Sequence, residues 1–165
     1  MSVDRAAVVR RLGEMLGSDG VITEPHELAR YEKGWRYGSG RALAVVRPSG
    51  TDDVARVLAL ANEHSIRVVP QGANTGLVGA STPDASGDML VLSLERLSRI
   101  LEVDPVDRTV VAGAGVLLSQ LDAALDRTAV KGHDPRVPGH VEDLHLLSRK
   151  AALDVPFHLV LRADR

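Results

Sequence analysis

The segment from Ala42 to Pro70 contains two short apolar runs separated by one amphipathic stretch, and this order restricts the fold more than any other feature. The runs "ALAVVRP" and "IRVVP" are rich in valine, and both end in proline. Between them, "GTDDVARVLALANEHSI" carries apolar residues at helical spacing. A continuous apolar run of this kind is typical of a strand that is buried on both faces. The pattern therefore predicts a β-α-β unit.

The amphipathic stretch also predicts how the helix begins and which face it buries. Thr51 is suited to the N-cap position, and Asp52 and Asp53 fall in the first turn, where the helix dipole favours acidic side chains. The predicted buried stripe consists of apolar residues at helical spacing, namely Val54, Val57, Leu58 and Ala61.

Further elements are predicted on both sides of this unit. Before it, "SVDRAAVVRRLGEMLG" predicts a helix that Ser2 caps and Gly17 ends, and the short strand "GVIT" precedes a helical turn from Pro25 to Tyr31. After it, "MLVLS" predicts a strand, "ILEVDPVDRTVVAGAG" a hairpin and "VLLSQLDAALDR" a helix. Strands and helices in this order place the chain in the α+β class.

Composition excludes several classes of function. Apolar residues make up 44% of the 165 residues, which is enough for a core, and a formal charge of -2 gives no long-range attraction for nucleic acid or an anionic membrane. The absence of cysteine excludes disulfides and thiolate metal sites. No apolar run reaches the roughly 18 residues of a membrane helix, and the N-terminus lacks an apolar signal core. We therefore expect a cytoplasmic protein without a membrane span and without a nucleic-acid partner.

The stretch "VVPQGANTGLVGAST" is the main candidate for a binding site. Its three glycines, Gly72, Gly76 and Gly79, follow a predicted strand and allow the backbone to expose successive N–H groups. Such a group of amides binds phosphate without a cation, and Thr75 and Ser81 can add hydroxyl donors. From these residues alone, a plain turn and a phosphate loop remain equally open.

Two better-known glycine motifs do not fit. A P-loop requires Lys and then Ser or Thr after its second glycine, whereas Leu77 and Val78 follow Gly76 here. The later run "GAGVLL" follows a strand and precedes a helix, but Leu118 stands where a dinucleotide fingerprint has its third glycine.

An ordered series of motifs resembles a known family. From Leu43 to Leu121 the chain has an apolar strand ending in Pro, a helix that starts at Thr, and a second strand ending in Pro. These are followed by "GANTGLVG", "LSLERLSRI", "EVDP" and "VAGAGVLLSQL". The series is similar to the N-terminal part of the PCMH-type FAD-binding domain of vanillyl-alcohol-oxidase-type flavoproteins. The most similar branch contains the D-lactate, glycolate and 2-hydroxyglutarate dehydrogenases.

The resemblance implies that backbone amides of the glycine loop hold the pyrophosphate of FAD. In flavoproteins of this superfamily that bind FAD covalently, a His often stands at the position of Asn74, so the resemblance implies non-covalent FAD. Ala73 and Ala80 stand where many relatives have Gly, and we expect their Cβ atoms to disturb the amide geometry slightly. The predicted cofactor-binding residues are Pro70, Gln71, Gly72, Ala73, Asn74, Thr75, Gly76, Leu77, Gly79, Ala80 and Ser81.

The resemblance stops near residue 125. We expect residues 1–125 to form the first part of the FAD-binding domain, with a small subdomain that contains the β-α-β unit and a truncated second subdomain. Residues 126–165 match nothing in the family, and we expect them to be disordered or partly helical, with a helix at "VEDLHLLSRKAAL". Such a tail is typical of a frame-shifted or degenerate gene. A shortened second sheet would leave an open edge through which the chain could self-associate.

Two groups of side chains have both a structural and a functional interpretation. The histidines of the tail are expected to be solvated, with metal binding as the alternative. Trp35 and the tyrosines that flank it are expected to pack locally, with a position near the flavin as the alternative. The histidines concerned are His133, His140, His145 and His158.

Three functions follow from the resemblance. The first is an FAD-dependent oxidoreductase that oxidises a small 2-hydroxy acid by hydride transfer to flavin N5, although no catalytic residue is identified in this chain and the substrate-binding part is not recognisable. The second is an FAD-binding module without turnover of its own. The third is a remnant that folds but binds no cofactor.

Overall fold

Two four-stranded sheets organise the chain, one in each of two units, Met1–Arg96 and Leu97–Arg165. The structure is a computed structural model, and it describes residues 4–104, 109–128, 144–146 and 158–163. The combination of helices with one largely parallel and one antiparallel sheet confirms the predicted α+β class.

The first unit is built on three parallel strands. The strands β1 (Val21–Ile22), β2 (Ala42–Val46), β3 (Arg67–Gln71) and β4 (Met89–Ser93) lie in the order β1-β2-β4-β3. Both β2 and β3 pair in parallel with β4, whereas β1 is antiparallel to β2. The predicted β-α-β unit is therefore present, with β4 inserted between its two strands. Because the three parallel strands end at one edge, the segments that follow them are brought together there.

Three helices belong to this unit, with a 3-10 turn at Ser18–Gly20 between the first helix and β1. They are α1 (Arg5–Leu16), α2 (Pro25–Glu32) and α3 (Thr51–Glu63). On one face of the sheet, residues of α2 form a core cluster with alternate residues of β2, β3 and β4; this cluster contains Ile22, Leu28, Tyr31, Val45, Val69 and Val91. The intervening residues Ala44, Leu90 and Leu92 are also buried, so β2 and β4 are covered on both faces, whereas Pro70 of β3 is exposed.

Two predicted helix caps are corrected. The α1 cap is Asp4, whose Oδ1 accepts a hydrogen bond of 3.1 Å from the N–H of Ala7, while the predicted cap Ser2 lies outside the described residues. At α3 the cap position is Gly50, and Thr51 is the first helical residue rather than the cap.

The side chain of Asp53 binds the segment just before α3. Its Oδ2 accepts hydrogen bonds from the N–H of Ser49 at 2.9 Å and from the Ser49 hydroxyl at 2.6 Å. These two hydrogen bonds, together with the nearby Arg56, lower the pKa of Asp53 below its ordinary value. An acid in the first turn thus fixes the entry of the chain into α3.

The buried stripe of α3 differs from the prediction at one position. Val54, Val57 and Ala61 are buried as predicted, but the fourth buried residue is Leu60, at 3% exposure, and Leu58 is 40% exposed. At roughly 100° per residue, Leu58 lies about 65–70° from the centre of the stripe and Leu60 about 90–95° from it on the other side. Helical spacing alone therefore favours Leu58, and packing against the rest of the unit buries Leu60 instead.

The second unit is antiparallel. It consists of β5 (Ile100–Asp104), β6 (Thr109–Gly113), α4 (Leu118–Thr128), β7 (Leu144–Leu146) and β8 (His158–Ala163), with strand order β5-β6-β8-β7. The pairing of β5 with β6 confirms the predicted hairpin. Its buried core is formed by Val110, Ala112 and Leu121.

One predicted helix is wrong where it can be compared with the structure. Leu144–Leu146 belongs to the segment predicted as helical, yet it is strand β7 and pairs with β8. Pairing with a distant strand overrides the helical spacing of the local sequence. The rest of the predicted helix lies outside the described residues.

A pair of leucine variants in α3 tests which face of the helix is buried. We expect Leu60→Ala to lower the free energy of unfolding by about 2–4 kcal/mol, because it leaves a cavity in the core. Leu58→Ala is the matched control and should cost under about 1 kcal/mol, because that side chain remains partly solvated. Urea denaturation of both variants measures the difference, and equal costs would contradict the described packing.

Candidate functional site

The glycine loop, residues 72–88, connects β3 to β4 and begins at the carboxyl edge of the parallel strands. In open sheets with parallel strands, ligands bind at this edge. Part of the loop surrounds an open pocket of about 380 Å³, lined by Pro70, Gly72, Ala73, Asn74, Thr75, Gly76, Val78, Ala80 and Ser81. Of the predicted site residues, Gln71, Leu77 and Gly79 are absent from this lining.

Three loop residues have left-handed backbone conformations. Asn74 has φ 56°, Gly79 has φ 71° and Gly87 has φ 74°. Neither Ala73 nor Ala80 has a positive φ, so their methyl groups cause no backbone strain. The expected disturbance of the loop by these alanines is therefore wrong as far as φ is concerned.

The backbone amides in the first part of the loop, from Gly72 to Ser81, are free. No N–H group from Gly72 to Ser81 donates a hydrogen bond within the part of the chain that the structure describes. A Cβ added to Gly72 would meet no atom within 4 Å, and one added to Gly76 would meet only the Ser81 Oγ, at 3.9 Å. Because these positions open into space, a ligand can approach the backbone closely. Free donors that a ligand can reach are what an anion site made of amides requires.

Gln71 anchors the start of the loop from the inside. Its side chain is 2% exposed, and its Nε2 donates to the carbonyl oxygens of Tyr31 and Ser81, both at 2.8 Å. Because both donors of the amide are satisfied within the protein, the side chain points away from the pocket.

Asn74 and Ser81 join the two limbs of the loop. The Nδ2 of Asn74 donates to the carbonyl oxygen of Lys33 at 2.8 Å, and the Ser81 hydroxyl donates to Oδ1 of Asn74 at 2.9 Å. The hydroxyl hydrogen that the sequence suggested for a phosphate is thus used within the loop. The Thr75 side chain is exposed and remains available to a ligand.

A second loop, residues 33–40, supports the glycine loop and was not predicted as part of the site. The Cα of Gly38 lies so close to Gly79 that a Cβ on Gly79 would be 3.2 Å from it. A Cβ on Gly38, which has φ 86°, would come within 2.9 Å of the Gly79 Cα. The glycines of "YEKGWRYGSG" were the signal in the sequence, because glycine permits such close backbone contact.

The prediction that Trp35 and the tyrosines that flank it pack locally is only partly correct. Tyr31, in α2, is buried, but Trp35 is 75% exposed and Tyr37 is 61% exposed. These two exposed side chains lie between Gly34 and Gly38, in a segment closed by the Lys33–Ser39 bridge. The alternative, a position near a flavin, stays a prediction.

A charged cluster lies at the same edge of the sheet. The hydroxyl of Tyr31 donates to Oε1 of Glu95 at 2.9 Å, and Arg47 donates to the same oxygen at 3.0 Å. Arg30 also contacts the Tyr31 hydroxyl and lies over its ring. Burial, and then the hydrogen bond to Glu95, raise the pKa of Tyr31 above its ordinary value.

The immediate surroundings of the amides favour an anion rather than a metal. The loop from Gly72 to Pro83 has no charged residue, so no carboxylate repels a phosphate there. Among the described residues, no group of His, Cys, Asp and Glu could hold a metal ion. The four histidines predicted as solvated or metal-binding lie outside the described side chains. No helix of the described segments is long and apolar enough to cross a membrane.

A loop of free amides at the carboxyl edge of parallel strands is typical of domains that bind a nucleotide cofactor. Comparison of the sequence with family models identifies the family. The model of the family described as FAD binding domain matches residues 42–141, more than half of the chain, and the chain therefore belongs to this family. The match includes the β-α-β unit and the whole glycine loop. The predicted boundary at residue 125 remains a prediction.

Relatives that match over part of their length are dehydrogenases by name. The chain is 35% identical to the quinone-dependent D-lactate dehydrogenase of Haemophilus influenzae over 128 residues, which cover 76% of this chain and 22% of that protein. It is 39% identical to the D-2-hydroxyglutarate dehydrogenase of Xanthomonas citri over 103 residues, 62% of this chain and 21% of that protein. The chain thus spans about a fifth of the length of these relatives.

A solved structure confirms the PCMH-type fold. Alkyldihydroxyacetonephosphate synthase superposes with a TM-score of 0.74 at 17% identity, over 96% of this chain and 40% of that chain. At this level of identity the likeness establishes the fold alone.

A pair of glycine variants tests the geometry of the loop. We expect Gly79→Ala to lower the free energy of unfolding by about 1–2 kcal/mol, because alanine is strained at positive φ and its Cβ crowds Gly38. Gly76→Ala should change stability little, because its Cβ would point into open space. Thermal unfolding of both proteins measures this, and a larger cost for Gly76→Ala would contradict the loop conformation.

The buried hydroxyl of Tyr31 predicts a pH-dependent contribution to stability. The pKa of Tyr31 is higher in the folded state than in the unfolded state, where it is about 10. The protonated hydroxyl therefore contributes fully to the free energy of unfolding below about pH 10, and this contribution is lost as pH rises through the folded-state pKa. We therefore expect Tyr31→Phe to be less stable than the wild type at pH 7, by about 1 kcal/mol. The difference should shrink as pH rises above about 10.

Urea denaturation between pH 7 and 11 measures this difference. Tyr37→Phe is the control, because that ring is exposed and its substitution should leave stability unchanged at every pH. A Tyr31→Phe effect that stays constant across the series would exclude the linkage.

Proposed function

We propose that the glycine loop binds the pyrophosphate of FAD through its backbone amides. The observation that carries the proposal is the run of N–H groups from Gly72 to Ser81 that have no acceptor among the described residues. Membership of the FAD binding domain family and the absence of charged residues from Gly72 to Pro83 support it. Thr75, with an exposed hydroxyl, is the side chain best placed to add a donor.

We propose further that FAD is bound without a covalent bond from this loop. Attachment of flavin requires a nucleophilic side chain. The lining of the pocket contains Asn74, Thr75 and Ser81 but no His, Cys or Tyr. Asn74, at the position where covalent relatives often have His, is engaged by Lys33 and Ser81.

The proposed activity of the complete enzyme is oxidation of a small 2-hydroxy acid. FAD supplies a hydride acceptor at N5 when bound, and the protein's part is to bind and orient it. The names of the relatives, D-lactate and D-2-hydroxyglutarate dehydrogenases, support this substrate class. In this chain the loop amides bind and position the cofactor. A cytoplasmic location and self-association through a sheet edge also remain proposals.

The second candidate is an FAD-binding module without turnover of its own. The favouring observation is that no titratable side chain lines the pocket, so these residues can bind but cannot take a proton from a substrate. The third candidate is a folded chain that binds no cofactor. Titration with FAD distinguishes all three candidates.

The test is titration of the purified chain with FAD, followed by absorbance and by quenching of flavin fluorescence. We expect reversible binding with a Kd of about 1 µM or weaker, because the pocket is open and Leu77 and Val78 beside it are largely exposed. Reduction of the bound flavin by D-lactate or D-2-hydroxyglutarate would support the first candidate. Binding without reduction would support the second, and folded protein that stays colourless at about 100 µM FAD would contradict the proposed site.

A charge variant tests whether the loop binds the phosphates. We expect Gly76→Asp to weaken FAD binding by at least about tenfold, because it places a carboxylate beside the amides. Ala55→Asp adds the same charge at an exposed position of α3 and should leave the Kd unchanged. Equal affinities for the two variants would show that the phosphates bind elsewhere.

A further inference from the structure

The glycine loop is held in shape by side chains. Three residues supply the hydrogen bonds: Gln71 reaches Tyr31 and Ser81, Asn74 reaches Lys33, and Ser81 reaches Asn74. We call these three residues, Gln71, Asn74 and Ser81, the clasp. The clasp connects both limbs of the loop to each other and to the end of α2 and the segment after it.

The acceptors of the clasp explain why the amides are free. Gln71 and Asn74 donate from their side-chain amides to backbone carbonyl oxygens, and the Ser81 hydroxyl donates to the Asn74 side chain. None of these bonds uses a backbone N–H of the loop. In an ordinary turn, backbone N–H groups bond to backbone carbonyls and are then unavailable to a ligand. From Gly72 to Ser81 the hydrogen bonds of the clasp take the place of such bonds, so this part of the loop is ordered while its N–H donors remain unsatisfied.

The backbone conformation of Asn74 allows it to take part in the clasp. Its φ of 56° is left-handed, which asparagine tolerates better than most residues do. At this φ the backbone turns while the side chain reaches both Lys33 and Ser81. Asn74 therefore fixes the turn and joins the two limbs at one point.

We propose that Gln71, Asn74 and Ser81 are positioning residues whose side chains pre-order the loop amides for a pyrophosphate without contacting it. This inference rests on the proposed FAD site. It predicts that cofactor affinity depends on the bond between Ser81 and Asn74, and it assigns the Ser81 hydroxyl a different role from the direct contact that the sequence suggested. Pre-ordering raises affinity because the loop loses less conformational freedom on binding.

The experiment is a double-mutant cycle with Ser81→Ala and Asn74→Gly. Glycine is chosen for Asn74 because it accepts the positive φ without strain, so that only the two side-chain hydrogen bonds are removed. Ser81→Ala removes one hydroxyl from a half-buried site, so both variants should fold, and thermal unfolding checks this. Ser119→Ala, at an exposed position of α4, is the control. Affinities for FAD and for ADP, which share the pyrophosphate, are measured by titration.

We expect Ser81→Ala to raise the Kd for FAD and the Kd for ADP by the same factor, about fivefold, which corresponds to about 1 kcal/mol of binding free energy. Ser81→Thr, which keeps the hydroxyl, should restore affinity. In the Asn74→Gly background, Ser81→Ala should have no further effect, because the hydroxyl acts through Asn74. A full Ser81→Ala effect in that background would overturn the inference, since it would mean that the hydroxyl contacts the phosphate directly.

The remaining outcomes separate this inference from the proposed function. If the wild-type chain binds FAD and ADP and both single variants bind equally well, the clasp has no role in affinity and only this inference fails. If the folded wild-type chain binds neither ligand, the proposed function fails and the inference fails with it.

Discussion

The parallel pairing of β4 with both β2 and β3 is the constraint on which the first unit depends. Because β4 enters between the two strands of the β-α-β unit, the chain leaves three neighbouring strands at one edge. Val46, Gln71 and Ser93 end these strands, and the segments after them supply the glycine loop and the Arg47 and Glu95 side chains that bind each other beside Tyr31 of α2. In a sheet of this kind, that edge is the place where backbone and polar groups converge.

The glycine loop shows how the protein keeps donors available without losing order. Unsatisfied N–H groups are costly when buried, but here they border an open pocket, where water can satisfy them until a ligand takes its place. Order comes from the buried amide of Gln71, from Asn74 and Ser81, and from the close contact of Gly38 with Gly79. A binding site composed of main-chain groups thus depends on side chains whose hydrogen bonds are made within the protein.

Much of the fold was predictable, because spacing and breakers act locally. The strands β1 to β6, α1, α3 and the glycine loop follow from apolar periodicity, proline and glycine. What failed required knowledge of packing. Helical spacing favoured Leu58 over Leu60 for the buried face of α3, and pairing with β8 made Leu144–Leu146 a strand. The sequence could not predict that Gln71 points inward or that Trp35 is exposed. Both depend on which parts of the chain, distant in sequence, lie beside each side chain.

Amide NMR would show whether the free main-chain amides of the glycine loop bind a pyrophosphate. The measurement is a titration of ¹⁵N-labelled protein with ADP, with adenosine as the control that lacks phosphates. We expect ADP to shift the amide resonances of the segment from Gly72 to Ser81, and adenosine to leave them unchanged. Resonances of this segment that stay unchanged while ADP shifts others would contradict the proposed site.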